Sequence, residues 1–187
     1  NRIVVSGATT AITRRTSFRK AFLAPWHPMV KQIWLYALAD AQRETATAIH
    51  HGILVINHEH LQATPSRDNL PEFLHRLHRD VSCALHTLLA EERYDTPREL
   101  WDGRETHCMR LMDAESQLSS LVYQHINCIS AGLVERPEQM PDFAFDLGHM
   151  KSGSIEVERP HGFFSRDRAS ALELHVTPAP LLYRAFG

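Results

Sequence analysis

No stretch of the chain approaches twenty consecutive apolar residues, so the sequence predicts no membrane-spanning helix. Cysteine is scarce: Cys83, Cys108 and Cys128 stand far apart with no C-x-x-C pair. That fits neither a disulfide framework nor a cysteine zinc site and suits a reducing cytosol. Neither sign of charge dominates, because 20 basic and 22 acidic side chains leave a formal net charge of -2. A nucleic-acid partner must then be held by a local patch, and a strong non-specific DNA binder is disfavoured. The opening NRIVVSGATT carries no apolar export-signal core, and no internal repeat occurs. With 43% hydrophobic and 22% charged residues, Gly 8 and Pro 10, collagen-like, low-complexity and disordered chains are excluded. What remains is 187 residues, enough for one domain with a terminal extension, and an unusual 13 histidines. Histidine is the commonest metal ligand, so their arrangement matters more than their number.

Residues 8–16 alternate loosely with Thr and Ile and predict a strand that ends in the basic cluster Arg14, Arg15, Arg19 and Lys20. Pro28 opens a helix whose apolar positions Val30, Ile33, Trp34, Ala37, Leu38 and Ala41 carry it to about residue 48. Residues 49–64 read as two strands joined near Val55 to Asn57. Asn69 and Glu72 suggest a capping box for a second helix, with Leu70, Phe73, Leu74, Leu77, Val81, Leu85 and Leu88 buried and an end near Ala90. The stretch ETHCMRLM predicts a strand, after which Asp113 caps a third helix with Leu118, Val122, Ile126 and Ile129 as its buried stripe and Gly132 as its stop. The order describes an α+β domain, a ferredoxin-like split βαβ antiparallel sheet with an added helix, over residues 1–142. Residues 143–187 turn Pro-rich and irregular, with a strand at 171–177, and read as an extension packed on the domain or mobile.

Two features carry chemistry. On a strand, His58 and His60 project from one face, roughly 6.6 to 7 Å apart at the backbone, within reach of one divalent cation. On the third helix, Tyr123 and Asn127 share a face with Ser116 and Ser120, opposite the apolar stripe and so expected to point away from the core. A phenol there can serve as a nucleophile toward phosphorus if something nearby offsets an ordinary pKa of about 10. His75 and His78 read as surface residues of helix two, Trp101 as core, and His50 as a possible third ligand of a histidine-zinc hydrolase.

Taken together, NHEHLQATPS, DNLPEFLHRLHRD, LWDGR and YQHINCISAGLVERPEQMP resemble, in order and spacing over about residues 8–142, the single-tyrosine HUH transposases, and most of all their REP-associated branch. The resemblance implies that His58 and His60 form a metal-ligand pair for Mg²⁺ or Mn²⁺, with Asn127 as third ligand or tyrosine-orienting amide. It makes Tyr123 the nucleophile and implies nicking and joining of single-stranded DNA near a hairpin through a 5′-phosphotyrosine. It also implies a cytoplasmic, nucleoid-associated protein of bacterial type, a monomer or homodimer, with Arg14, Arg15, Arg19, Lys20 and Arg104 on the DNA backbone. The chain departs from the family where Glu59 replaces a hydrophobic residue between the histidines, and where Cys128 and Ser130 replace a proline and a basic residue. A buried Glu59 must find a cation, lie at a sheet edge, or mark a relaxed site, so a silent, structure-specific DNA-binding protein is the alternative.

Overall fold

Strand alternation builds the central layer. In the computed structural model, which describes residues 5–140 and 153–186, strands β1 (Thr10–Arg15), β2 (Ala48–Val55), β3 (His58–Thr64) and β4 (His107–Arg110) pair antiparallel in the order β2-β3-β1-β4. Helix α1 (Pro28–Thr45) connects β1 to β2, and α2 (Leu70–Glu91) connects β3 to β4, which is the expected split βαβ sheet. Register assigns the two faces. Ile12 lies opposite Leu61 and Arg14 opposite Glu59 on the side of α1 and α2, while Thr13 opposite His60 and Arg15 opposite His58 occupy the other side. The first side holds the main core, with Trp34, Phe73, Leu61 and Leu77 fully buried.

Local chemistry sets the ends of the helices. Pro28 starts α1 as expected, but the helix stops at Thr45 rather than 48 because Ala46 turns left-handed at φ 51°. The capping box expected at Asn69 does not form: the Asn69 amide donates instead to the Thr45 carbonyl at 2.6 Å, tying the start of α2 to the end of α1. Asp113 does cap α3 (Ala114–His125), accepting from the Ser116 amide at 2.7 Å. A short α4 (Asn127–Ser130) follows, and Gly132 at φ 69° ends the run.

The orientation of α3 corrects the sequence expectation. Its expected core stripe of Leu118, Val122, Ile126 and Ile129 is exposed, and Gln117, Ser120, Leu121, Gln124 and Asn127 are buried instead. The reason lies in what α3 docks against. That face of the sheet is polar, so the helix meets it with amides: Gln117 donates to Thr9 Oγ1 at 2.9 Å, Gln124 to the Leu61 carbonyl at 3.1 Å, and Gln62 to the Gln117 carbonyl at 3.0 Å.

Residues 153–186 form a hairpin of β5 (Ser154–Glu158) and β6 (Ala171–His175), then α5 (Pro180–Phe186). The strand expected at 171–177 is β6; its partner β5 was not expected, although Ser154–Glu158 alternates polar residues with Ile155 and Val157. Val157, Leu172, Leu174 and Val176 belong to the same core cluster as α1 and α2. Polar ties fix the hairpin: the Tyr36 hydroxyl donates to the Ala169 carbonyl at 2.7 Å, Gln42 exchanges two bonds with the His175 backbone, and Arg168 pairs with both Asp40 and Asp80. The boundary expected between residues 142 and 143 lies outside the described residues.

Candidate active site

Period-two spacing puts His58 and His60 on the α3 side of β3 with ring centroids 4.7 Å apart. The hydrogen bonds of the two rings settle which nitrogens are free. His60 Nδ1 lies 2.9 Å from Thr13 Oγ1, and His58 Nδ1 lies 2.7 Å from Asn57 Oδ1. An amide oxygen only accepts, so the His58 proton belongs on Nδ1 and the Nε2 lone pair points inward. There it faces Asn127 Oδ1 at 3.1 Å, two lone pairs with no proton between them. A cation would satisfy both at once; without one, turning the Asn127 amide so that its NH₂ donates does so. His60 Nε2 is buried with no hydrogen-bond partner, and although Asn127 is near enough to bias its titration, no bond of normal geometry reaches it.

Burial keeps both imidazoles neutral. It lowers the His58 pKa, with Asn127 opposing and Arg15 assisting, and it pushes His60 down to about 3, with His58 as the next cause. Neutral imidazoles are the form that binds metal. His58 Nε2, His60 Nε2 and Asn127 Oδ1 thus fit the donor set of a divalent cation that retains open positions for phosphate oxygens. Among the described residues there is no cluster of three or more His, Cys, Asp or Glu that could hold a metal, so the amide and the substrate must complete any such site. His50 is not available for it, since its ring is engaged by the Thr177 carbonyl at 2.9 Å and Thr64 Oγ1 at 2.7 Å.

Tyr123 stands on α3 with its ring edge-on to His60, centroids 5.8 Å apart, and is 56% exposed. Histidine and tyrosine therefore meet within one chain. Tyr123 and His60 line one wall of a groove of about 860 Å³ between α3 and the β1–β4 edge. Arg14, Arg15, Arg19, Arg104 and Arg110 line it too, against only Asp102 and Glu105, and Arg15, Arg19, Arg104 and Arg110 make no ion pair among the described residues. A chain that is slightly acidic overall thus has a cationic groove.

The basic cluster read from the sequence is split by β1. Arg15 shares the sheet face of the histidines, while Arg14 lies on the other face, over the Trp101 ring at 5.9 Å and donating to Thr106 Oγ1 at 2.9 Å, yet both line the groove. Lys20 does not line the groove, and Arg110, which does, was not singled out in the sequence. Arg110 stands in the strand expected at ETHCMRLM, but only the pairing of β4 with β1 brings that position to the groove.

Glu59 has found its partner. Fully buried beneath β3, its carboxylate accepts from His78 Nε2 at 2.5 Å and from Trp34 Nε1 at 2.7 Å. His78 is accordingly buried on the inner face of α2 rather than at the surface, and its carbonyl accepts from Trp101 Nε1 at 2.8 Å. Trp101 is core, as expected.

No protein-family model and no curated protein sequence matches the chain. Among solved structures its fold is similar to that of a REP-associated tyrosine transposase bound to a REP hairpin, at a TM-score of 0.64 and 16% identity, over 90% of this chain and 89% of that one. At that identity the likeness establishes the α+β fold. No helix among the described residues is long and apolar enough to cross a membrane.

Proposed function

We propose that the protein nicks and rejoins single-stranded DNA through a covalent bond to Tyr123, with Mg²⁺ or Mn²⁺ held by His58, His60 and Asn127. One observation carries the reading: the Tyr123 ring sits against His60 at the point where two neutral imidazoles and an amide oxygen converge, at the wall of a groove lined by arginines. The structural neighbour, described as a transposase bound to a hairpin, supports a DNA hairpin as the partner.

The chemistry balances without an external energy source. Tyr123 Oη bonds to the scissile phosphorus as the bond to the 3′ oxygen breaks, and the phenolic proton is in net replaced on the freed 3′-hydroxyl. The product is a 5′-phosphotyrosine, and attack by a 3′-hydroxyl reverses the step. A bound divalent cation would supply charge neutralisation at the phosphate. Arg15 and Arg19 hold the backbone on the same side of β1 as the histidines, and Thr13 and Asn57 fix the ring orientations through Nδ1. Burial of Glu59 on the far side of β3, already paired, leaves the ligand face intact.

The test is incubation of the protein with single-stranded hairpin oligonucleotides and Mn²⁺, followed by denaturing electrophoresis. A protein–DNA adduct that resists denaturation supports the proposal. Salt-sensitive binding with no adduct across several hairpins would instead establish a silent, structure-specific binder.

A further inference from the structure

The turn after β1 places an aromatic ring where folding gains nothing from it. Phe18 is 88% exposed, more than any other large apolar residue described, and it takes a left-handed backbone at φ 53° and ψ 17°. Arg19 follows at φ 55°, so two consecutive side-chain-bearing residues occupy a region that disfavours both.

Such a turn would relax if it were loose, but it is clamped on both sides. The Thr16 amide donates to the Asn57 carbonyl at 2.9 Å, the Ser17 amide to the Leu100 carbonyl at 2.8 Å, and Ser17 Oγ to the Glu99 carbonyl at 2.6 Å. Thr16 Oγ1 closes the loop on the Lys20 carbonyl at 2.7 Å. Asn57 then joins the turn to the site itself. Its Nδ2 donates to the Arg19 carbonyl at 3.1 Å, while its Oδ1 accepts from His58 Nδ1 at 2.7 Å. One amide side chain fixes the distance between the exposed ring and the candidate metal ligands.

The surroundings of the ring specify what it binds. Arg15 and Arg19 line the groove that leads to Tyr123, and neither they nor Lys20 are ion-paired among the described residues. An exposed aromatic ring next in the chain to a groove-lining arginine matches a nucleobase with its flanking phosphate, and only an unpaired base has a free face to offer. A rigid, strained platform loses little conformational freedom on binding.

Resting on the single-stranded DNA reading above, we infer that Phe18 is a stacking platform for one unpaired base of the strand that enters the groove. The experiment is a residue-by-nucleotide cycle read by fluorescence anisotropy in EDTA, so that binding is scored without cleavage. The probe is a hairpin oligonucleotide with a single-stranded arm, made intact and with an abasic residue at each arm position in turn. At one position the abasic substitution should weaken wild-type binding about tenfold. The same substitution should cost Phe18→Ala nothing further. Phe18→Trp should bind as wild type and Phe18→Leu as Phe18→Ala, with melting temperatures no lower than wild type throughout. Unchanged affinity in Phe18→Ala, abasic penalties that persist in full in that variant, or wild-type affinity in Phe18→Leu would each overturn the inference while leaving the nicking proposal standing. Failure of wild type to bind the arm at all would overturn the inference, and the nicking proposal is then judged by the Mn²⁺-dependent adduct alone.

Discussion

The Tyr123 ring meets the His60 ring edge-on with centroids 5.8 Å apart, the contact that brings the nucleophile candidate on α3 to the strand bearing both histidines. The Tyr123 side chain is otherwise turned to solvent, and its hydroxyl makes no hydrogen bond among the described residues. Tyr123→Phe should therefore change unfolding free energy by less than about 0.5 kcal/mol. Affinity for a hairpin oligonucleotide should also hold, while adduct formation falls to background. An adduct that persists in the variant would move the nucleophile elsewhere.

His58→Ala combined with His60→Ala should abolish Mn²⁺ binding in a calorimetric titration. His60 is buried, but neither histidine belongs to the hydrophobic core cluster, so the fold should survive, as circular dichroism would report. Undiminished Mn²⁺ affinity in the double variant would refute the assignment of these ligands.

Acid should destabilise the protein earlier than carboxylate titration alone requires. Burial holds His50 neutral down to about 4 and His51 down to about 3. In the unfolded chain both titrate near an ordinary 6.5 or so. Their contribution is complete above that value and is lost as pH falls toward 4, because the unfolded chain then binds more protons than the native one. The slope is up to roughly 1.4 kcal/mol per pH unit for each histidine. Urea unfolding at successive pH values should show this decline, and His50→Gln should reduce it by one proton's worth.

Replacing Glu59 by leucine, which restores the hydrophobic residue usual between the histidines of the resembled family, should destabilise this chain by about 3 kcal/mol. The substitution removes the carboxylate that His78 Nε2 and Trp34 Nε1 both donate to in the core. Adding His78→Leu should recover part of the loss in denaturant unfolding. A neutral Glu59→Leu would mean that the carboxylate contributes nothing net.

The same pair shows where sequence reading succeeds and fails. The shared face of His58 and His60 was legible because a strand's period of two is rigid. His78 was misread because helix periodicity records only apolar neighbours; the better signal was Glu59, a carboxylate in a buried strand that demands a proton donor across the sheet. The α3 error has a related origin. Its buried face is amides that satisfy Thr9, Gln62 and the Leu61 carbonyl, and a hydrophobic stripe cannot report docking through hydrogen bonds. The groove arginines were half legible: Arg15, Arg19 and Arg104 sit in visible basic or turn motifs, whereas Arg110 needed the pairing of β4 with β1.

Phe18→Gly should separate stability from binding. Glycine adopts φ 53° without steric cost, so the variant should be more stable by about 1 kcal/mol in urea. It should also bind single-stranded DNA less tightly than wild type. A variant that gains neither stability nor loses affinity would show that the turn is unstrained and idle.

The ties between the β5–β6 hairpin and the first helix constrain the order of events during synthesis. Tyr36, Asp40 and Gln42 await partners at Ala169, Arg168 and His175, more than 120 positions later in the chain. Until those residues leave the ribosome, one flank of α1 offers a phenol, a carboxylate and apolar surface to water. The sheet bearing the histidines can pair before then, but the nascent chain should remain protease-sensitive and dependent on chaperones until the hairpin docks.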